Sequence, residues 1–175
     1  MQREVATWLT GGVIGRWSVD DVVSFLRTGH GRGAVAFGAM APVIEESTQY
    51  MTNDDLHAIA VYLKSLSAHG PAGTYNDNEY ARARTYQAIA TGEFERHGGG
   101  IYLSFCARCH EADGQGQQGK VAALAGNSLV LAPDPTSIIR IVTEGSKSPQ
   151  TETGPEAKKM PAFTESARHA RWPKW

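Results

Sequence analysis

No stretch of this chain approaches the ~18 apolar residues of a membrane-crossing helix, and no apolar run follows Met1 in the manner of an export signal. An excess of charge is missing too. Its 17 Lys and Arg against 18 Asp and Glu leave a net charge of -1, and the basic residues are scattered rather than drawn into a stripe, which argues against nucleic acid as a partner. Residues 98–175 hold nine basic against seven acidic residues, and residues 1–97 hold eight against eleven, a small asymmetry of the kind a docking face carries. No segment alternates apolar and polar residues with period two, so the expected fold class is all-α. Cysteine is scarce as well, with two residues in 175. A tetrahedral zinc site would need two more ligands from His30, His57, His69, His97 or His169, none of which sits in an H-x-x-x-H pair.

The two cysteines that are present stand in Cys106-Ala107-Arg108-Cys109-His110, a C-x-x-C-H run. That run is the attachment sequence of a c-type haem. Thiols one helical turn apart can each form a thioether to the porphyrin edge, and the adjoining imidazole can ligate the iron. A thioredoxin-like pair would open a helix after a buried strand, whereas Ile101, Tyr102 and Phe105 place these cysteines late in a helical pattern. Downstream, Lys159-Met160-Pro161 offers a thioether sulfur from a loop, and a His/Met pair raises a haem's potential into the range of electron carriers. Packing is the default role of a lone methionine. Pro161 and the preceding loop make Met160 a poor core-helix residue and favour ligation. Arg108, Lys158 and Lys159 read as solvated surface.

Along the chain the pattern is of short helices between glycine-rich loops. Ser18 to Asp21 forms a capping box ahead of Val22, Phe25 and Leu26, and Gly29 closes that helix. Residues 31–43 read as loop. Thr52 caps a second helix whose Leu56, Ile59, Ala60, Leu63 and Leu66 recur on one face. Ser67 to Asn78 reads as a linker, and Glu79 to Ala90 as a polar helix. Glu93 to Cys109 reads as a helix interrupted by Gly98-Gly99-Gly100. Asp134-Pro135 opens a last helix that Gly145 ends. A polar loop from Ser146 then leads to Met160.

The two halves repeat one another. Val22-Val23-x-Phe25-Leu26-Arg27-Thr28-Gly29, a loop and Gly38-Ala39-Met40-Ala41-Pro42 parallel Ile138-Ile139-x-Ile141-Val142-Thr143-Glu144-Gly145, a loop and Lys159-Met160-Pro161. Met40 thus stands where a haem ligand would, in a half without cysteine. The expected organisation is residues 1–70 as the C-terminal part of a cytochrome c domain without its own haem motif, 71–97 as a linker and connecting helix, and 98–175 as a cytochrome c domain that lacks its last helix. Haem attachment of this kind takes place outside the bacterial cytoplasm. The chain is therefore expected to be a fragment, and one of low stability, because each small core lacks an element.

Gly38-x-Met40-Ala41, Ser47-Thr48-Gln49-Tyr50-Met51-Thr52 and Ala58-Ile59-Ala60-Val61-Tyr62-Leu63-Lys64-Ser65-Leu66 resemble the middle haem domain of the three-haem cytochrome c subunit of bacterial membrane-bound alcohol dehydrogenases. Cys106 to His110, Asp134 to Arg140 and Met160-Pro161-Ala162-Phe163 are similar to that family's third haem domain, and the gluconate and aldehyde dehydrogenase subunits are similar too. The resemblance covers residues from about Trp17 to Phe163. It implies class I cytochrome c-like domains, both truncated, and haem c at one covalent site, Cys106 and Cys109, with a second haem in the full-length protein. It further implies axial ligands His110 and Met160, with Met40 as the ligand of a haem whose attachment site is missing. Its partners would be a dehydrogenase catalytic subunit as donor and ubiquinone or an oxidase as acceptor, on the periplasmic side of the inner membrane, with membrane association through the complex. A five-coordinate peroxidase or gas-sensing haem, and a haem-free interaction module, are the competing readings.

Overall fold

The computed structural model describes residues 17–66, 79–93, 98–127 and 129–164. The expected linker from Ser67 to Asn78, His69, His97, His169 and the C-terminal Arg171 to Trp175 lie outside them.

Helix α1, Val19–Thr28, starts where the sequence places a reciprocal cap: the Asp21 amide donates to Ser18 Oγ at 3.0 Å and the Ser18 amide to Asp21 Oδ2 at 2.8 Å. It ends at Gly29, whose φ of 76° is the left-handed conformation that favours glycine. A two-residue antiparallel ladder follows, β1 (His30–Gly31) with β2 (Ala34–Val35). Helix α2, Met40–Glu46, and a 3₁₀ turn, Thr48–Tyr50, lead to α3, Asn53–Ser65, capped by Thr52. Two expectations change here. Residues 31–43 are not all loop, and Met40 opens a helix. Pro42 does not prevent it, because the first-turn amides of a helix need no intrahelical partner.

Helix α3 packs on α1 through the predicted face. Leu56 and Ala60 are fully buried with Trp17, Val22 and Leu26, while Met51, Ile59 and Leu63 pack against that cluster. Trp17 meets Phe25 edge to face at 5.4 Å. Arg27 ties the corner: its guanidinium donates to the Gln49 carbonyl at 3.1 Å, the Met51 carbonyl at 3.0 Å and Asn53 Oδ1 at 2.8 Å. That planar fork of donors is beyond a lysine.

The second half is built of α4 (Glu79–Thr91), α5 (Gly99–Phe105), α6 (Ala107–His110) and α7 (Thr136–Glu144). Gly99 and Gly100 begin α5, and residues 94–97 of the expected helix from Glu93 lie outside the described residues. Helix α7 starts one residue later than Pro135; Asp134 Oδ1 accepts from the Thr136 amide at 3.0 Å and its hydroxyl at 2.6 Å. A second ladder, β3 (Ser146–Lys147) with β4 (Lys159–Met160), follows Gly145. The fold is mostly helical rather than all-α, because both ladders are too short to leave a period-two signature in sequence. Among the described residues no helix is long and apolar enough to cross a membrane.

Candidate functional site

Helices α5 and α6 carry the C-x-x-C-H run, with Cys106 at their junction. Both thiols are unpaired; Cys109 is exposed and Cys106 half-buried, which pushes its thiol pKa up. Burial here lowers the thiolate character of Cys106.

His110 is fixed by its other ring nitrogen. Nδ1 lies 2.9 Å from the Ala122 carbonyl oxygen. A carbonyl can only accept, so Nδ1 carries the proton and Nε2 keeps its lone pair for a metal. Tyr102, one turn before the motif, closes the turn after it: its hydroxyl donates to the Glu111 carbonyl at 2.5 Å and lies 3.4 Å from the His110 carbonyl. Desolvation, and the neighbouring Cys106, Asp113 and Glu111, push the Tyr102 pKa up to about 12. The hydroxyl therefore stays a donor across the neutral range. Glu111 has φ 63° and ψ 161°, a region that side-chain-bearing residues rarely enter. The carbonyl that Tyr102 holds belongs to this strained residue.

Met160 sits in β4 opposite Ser146, half-buried. Its segment closes on α7: a Cβ on Gly145 would stand 2.8 Å from the Met160 carbonyl oxygen, and the Phe163 amide donates to the Val142 carbonyl at 2.9 Å. Phe163 also reaches Phe105, the residue before Cys106, edge to face at 6.1 Å. The Met160 segment and the cysteine motif are thus joined by one ring contact. The sequence did not single out Tyr102, Phe105 or Phe163 as parts of a site; an aromatic three residues after Met160 and another four residues before Cys109 were the available signal.

Met40 stands apart. The ladder after α1 pairs His30 with Val35, as the ladder after α7 pairs Ser146 with Met160, so register makes Val35 the counterpart of Met160. Met40 follows five positions on, at the start of α2. Helix, glycine and ladder thus recur in both halves, with Met40 lying beyond the first ladder and Met160 within the second.

The residues around the motif fit a covalently held haem. Beside two free thiols and an oriented imidazole, Ile101, Phe105, Val130, Ile139 and Val142 are exposed apolar side chains, Ile139 at 54%. Every residue of the described hydrophobic core lies instead in the first half. A porphyrin is an apolar plate that such side chains would cover. Among the described residues no group of His, Cys, Asp and Glu could hold a bare metal ion, and Arg108, Lys158 and Lys159 are exposed.

These features are the ones a c-type haem site needs, and residues 94–171 match the family described as "Cytochrome C oxidase, cbb3-type, subunit III". Its particular relatives are dehydrogenase subunits. The chain is 39% identical over 155 residues to the alcohol dehydrogenase (quinone), cytochrome c subunit of Gluconacetobacter polyoxogenes, over 87% of this chain and 32% of that protein. It is 39% identical over 157 residues to the gluconate 2-dehydrogenase cytochrome c subunit of Pantoea cypripedii, over 86% and 34%. With the fructose dehydrogenase cytochrome subunit of Gluconobacter japonicus it shares 33% over 143 residues, 75% and 29%. The chain is thus related to the cytochrome c subunits of dehydrogenases, which are not the catalytic subunits, and it spans about a third of the length of these relatives.

Proposed function

We propose that this chain is an electron-transfer segment of a cytochrome c subunit, receiving electrons from a dehydrogenase catalytic subunit and passing them towards ubiquinone or a terminal oxidase on the periplasmic side of the inner membrane. The observation that carries the reading is the His110 imidazole held by Ala122 one residue after two free cysteines. A bound haem c supplies reversible one-electron Fe(III)/Fe(II) chemistry there. The chain's own residues do the rest. Cys106 and Cys109 would attach the ring as thioethers, and His110 Nε2 and Met160 would hold the iron. The Ala122 carbonyl would raise the basicity of His110 and fix its tautomer. The exposed apolar side chains of α5 and α7 would exclude water from the ring, which with the thioether of Met160 would raise the potential.

Expression with an export signal and the haem-maturation machinery, followed by a pyridine haemochrome assay, tests the attachment: one covalent haem per chain is expected. A chain that emerges without haem would be a remnant module. Rapid carbon monoxide binding to the reduced protein at neutral pH would place it with five-coordinate peroxidases or gas sensors.

A further inference from the structure

The half without cysteines holds both loops that present the candidate axial ligands. On the His110 side, the residue after the Ala122 acceptor, Ala123, donates its amide to the Gly33 carbonyl at 2.9 Å, at the turn of the β1–β2 ladder. Gly33 has φ 74°, and a Cβ there would already stand 3.4 Å from the Ala123 side chain. On the Met160 side, the loop between β3 and β4 lies along α1 and α2. Its Gln150 amide donates to Glu45 Oε1 at 2.6 Å and its Glu152 amide to Gln49 Oε1 at 3.1 Å. Pro149 packs on the end of α1 so closely that a Cβ on Gly29 would fall 2.1 Å from its Cγ, and a Cβ on Gly154 would meet Thr28 at 3.1 Å. Ser148, Pro149 and Thr151 are buried in a loop that is otherwise polar and exposed.

The fully buried apolar side chain of this loop, Pro149, packs on the other half, and the Gln150 and Glu152 amides find their carboxylate and amide acceptors there too. The Gly154 and Ala157 amides are satisfied within the loop. From these contacts we infer that residues 17–66 act as a brace for the haem site: Gly29, Gly33, Glu45 and Gln49 are positioning residues that fix the spacing between the His110 loop and the Met160 loop. The inference rests on the His110/Met160 reading above. Residues 17–66, which contain no cysteine, then govern the iron's coordination. Relaxing the brace frees the Met160 loop while leaving the thioethers and His110 in place, so haem content and sixth-ligand occupancy separate.

The test uses the full, haem-loaded chain and compares the parent with Met160→Ala, Glu45→Ala combined with Gln49→Ala, Glu45→Gln combined with Gln49→Ala, and Gly29→Val. Four quantities are read: haemochrome stoichiometry, the far-red charge-transfer absorption of methionine sulfur on ferric haem, the midpoint potential, and carbon monoxide binding to the ferrous form. Glu45→Ala with Gln49→Ala is expected to keep one haem per chain, weaken methionine binding about tenfold, lower the potential and gain carbon monoxide binding. Glu45→Gln, whose amide oxygen still accepts from Gln150, should restore much of the band. Gly29→Val should act more strongly, and helicity by circular dichroism separates displacement of the loop from loss of the fold. A parent that has the band, with brace variants that all keep its intensity, potential and carbon monoxide inertness, overturns the brace alone. A parent without the band, unchanged by Met160→Ala, overturns the ligation and the brace together.

Discussion

Helices α1 and α7 each end at a glycine with φ 76° followed by a two-residue ladder, with ψ 3° at Gly29 and -180° at Gly145, yet they meet different surroundings. Helix α1 buries Val22 and Leu26 against α3, whereas α7, equally two-sided in its pattern, buries none of its residues and leaves Ile139 and Val142 exposed. The same local grammar therefore yields a self-sufficient core in one half and an apolar surface in the other. The difference lies in what lies across the helix. Helix α3 supplies Leu56 and Ala60 to the first half, and the second half leaves apolar side chains of α5 and α7 exposed instead.

The strongest way to break this comparison is to prevent haem attachment with Cys106→Ala and Cys109→Ala. Amide hydrogen exchange should then rise to near-unprotected rates in α5 and α7 while α1 and α3 keep their protection. Equal loss in both halves would mean that the first half is not held by its own core. Next in size, Leu56→Ala removes a fully buried side chain and should cost about 2–5 kcal/mol in a denaturant titration. Ile139→Ala in haem-free protein should stay within about 0.5 kcal/mol, as exposed positions do. Similar costs at the two positions would erase the contrast. Tyr102→Phe deletes the donor to the Glu111 carbonyl and should cost about 1 kcal/mol. Its effect should appear by hydrogen exchange in the turn after His110 rather than in α1.

The smallest effect concerns pH. The hydroxyl and amide of Thr136 hold the Asp134 carboxyl below the usual carboxylate range. A depressed folded value means that the contribution is present above the unfolded pKa, about 3.9, and lost as pH falls through the still lower folded value. Amide exchange at the start of α7 should therefore quicken only on the acid side of that window. Asp134→Asn should remove the dependence, and an unchanged acid limb in that variant would assign it to another group.

Much of the first half could be read in advance because its determinants are local or periodic. Ser18, Asp21 and Thr52 announce helix starts through bonds spanning three residues, and Leu56 and Ala60 announce a buried face by their spacing. Helix α2 escaped because Pro42 reads as a breaker unless it is known to lie in a first turn. In the candidate site the five motif residues were legible because thioether attachment and ligation demand those side chains at that spacing. Ala122 was not, since its contribution is a backbone carbonyl that any residue provides. The contacts of Gln150 and Glu152 were hidden for the same reason, and the different places of Met40 and Met160 relative to their ladders do not show in a linear match.

The contact between the Gln150 amide and Glu45 joins positions 105 apart in sequence. Contacts of such separation form late, because the chain entropy of closing the intervening loop must first be overcome. The surface that receives the Met160 loop is made of residues translated long before it, and domains formed early in synthesis tend to fold first. The cysteine motif lies between the two and depends on neither for its own helix. Folding order alone would thus keep Cys106 and Cys109 accessible to an attachment reaction until the methionine loop comes down, making closure of the site the last step of assembly.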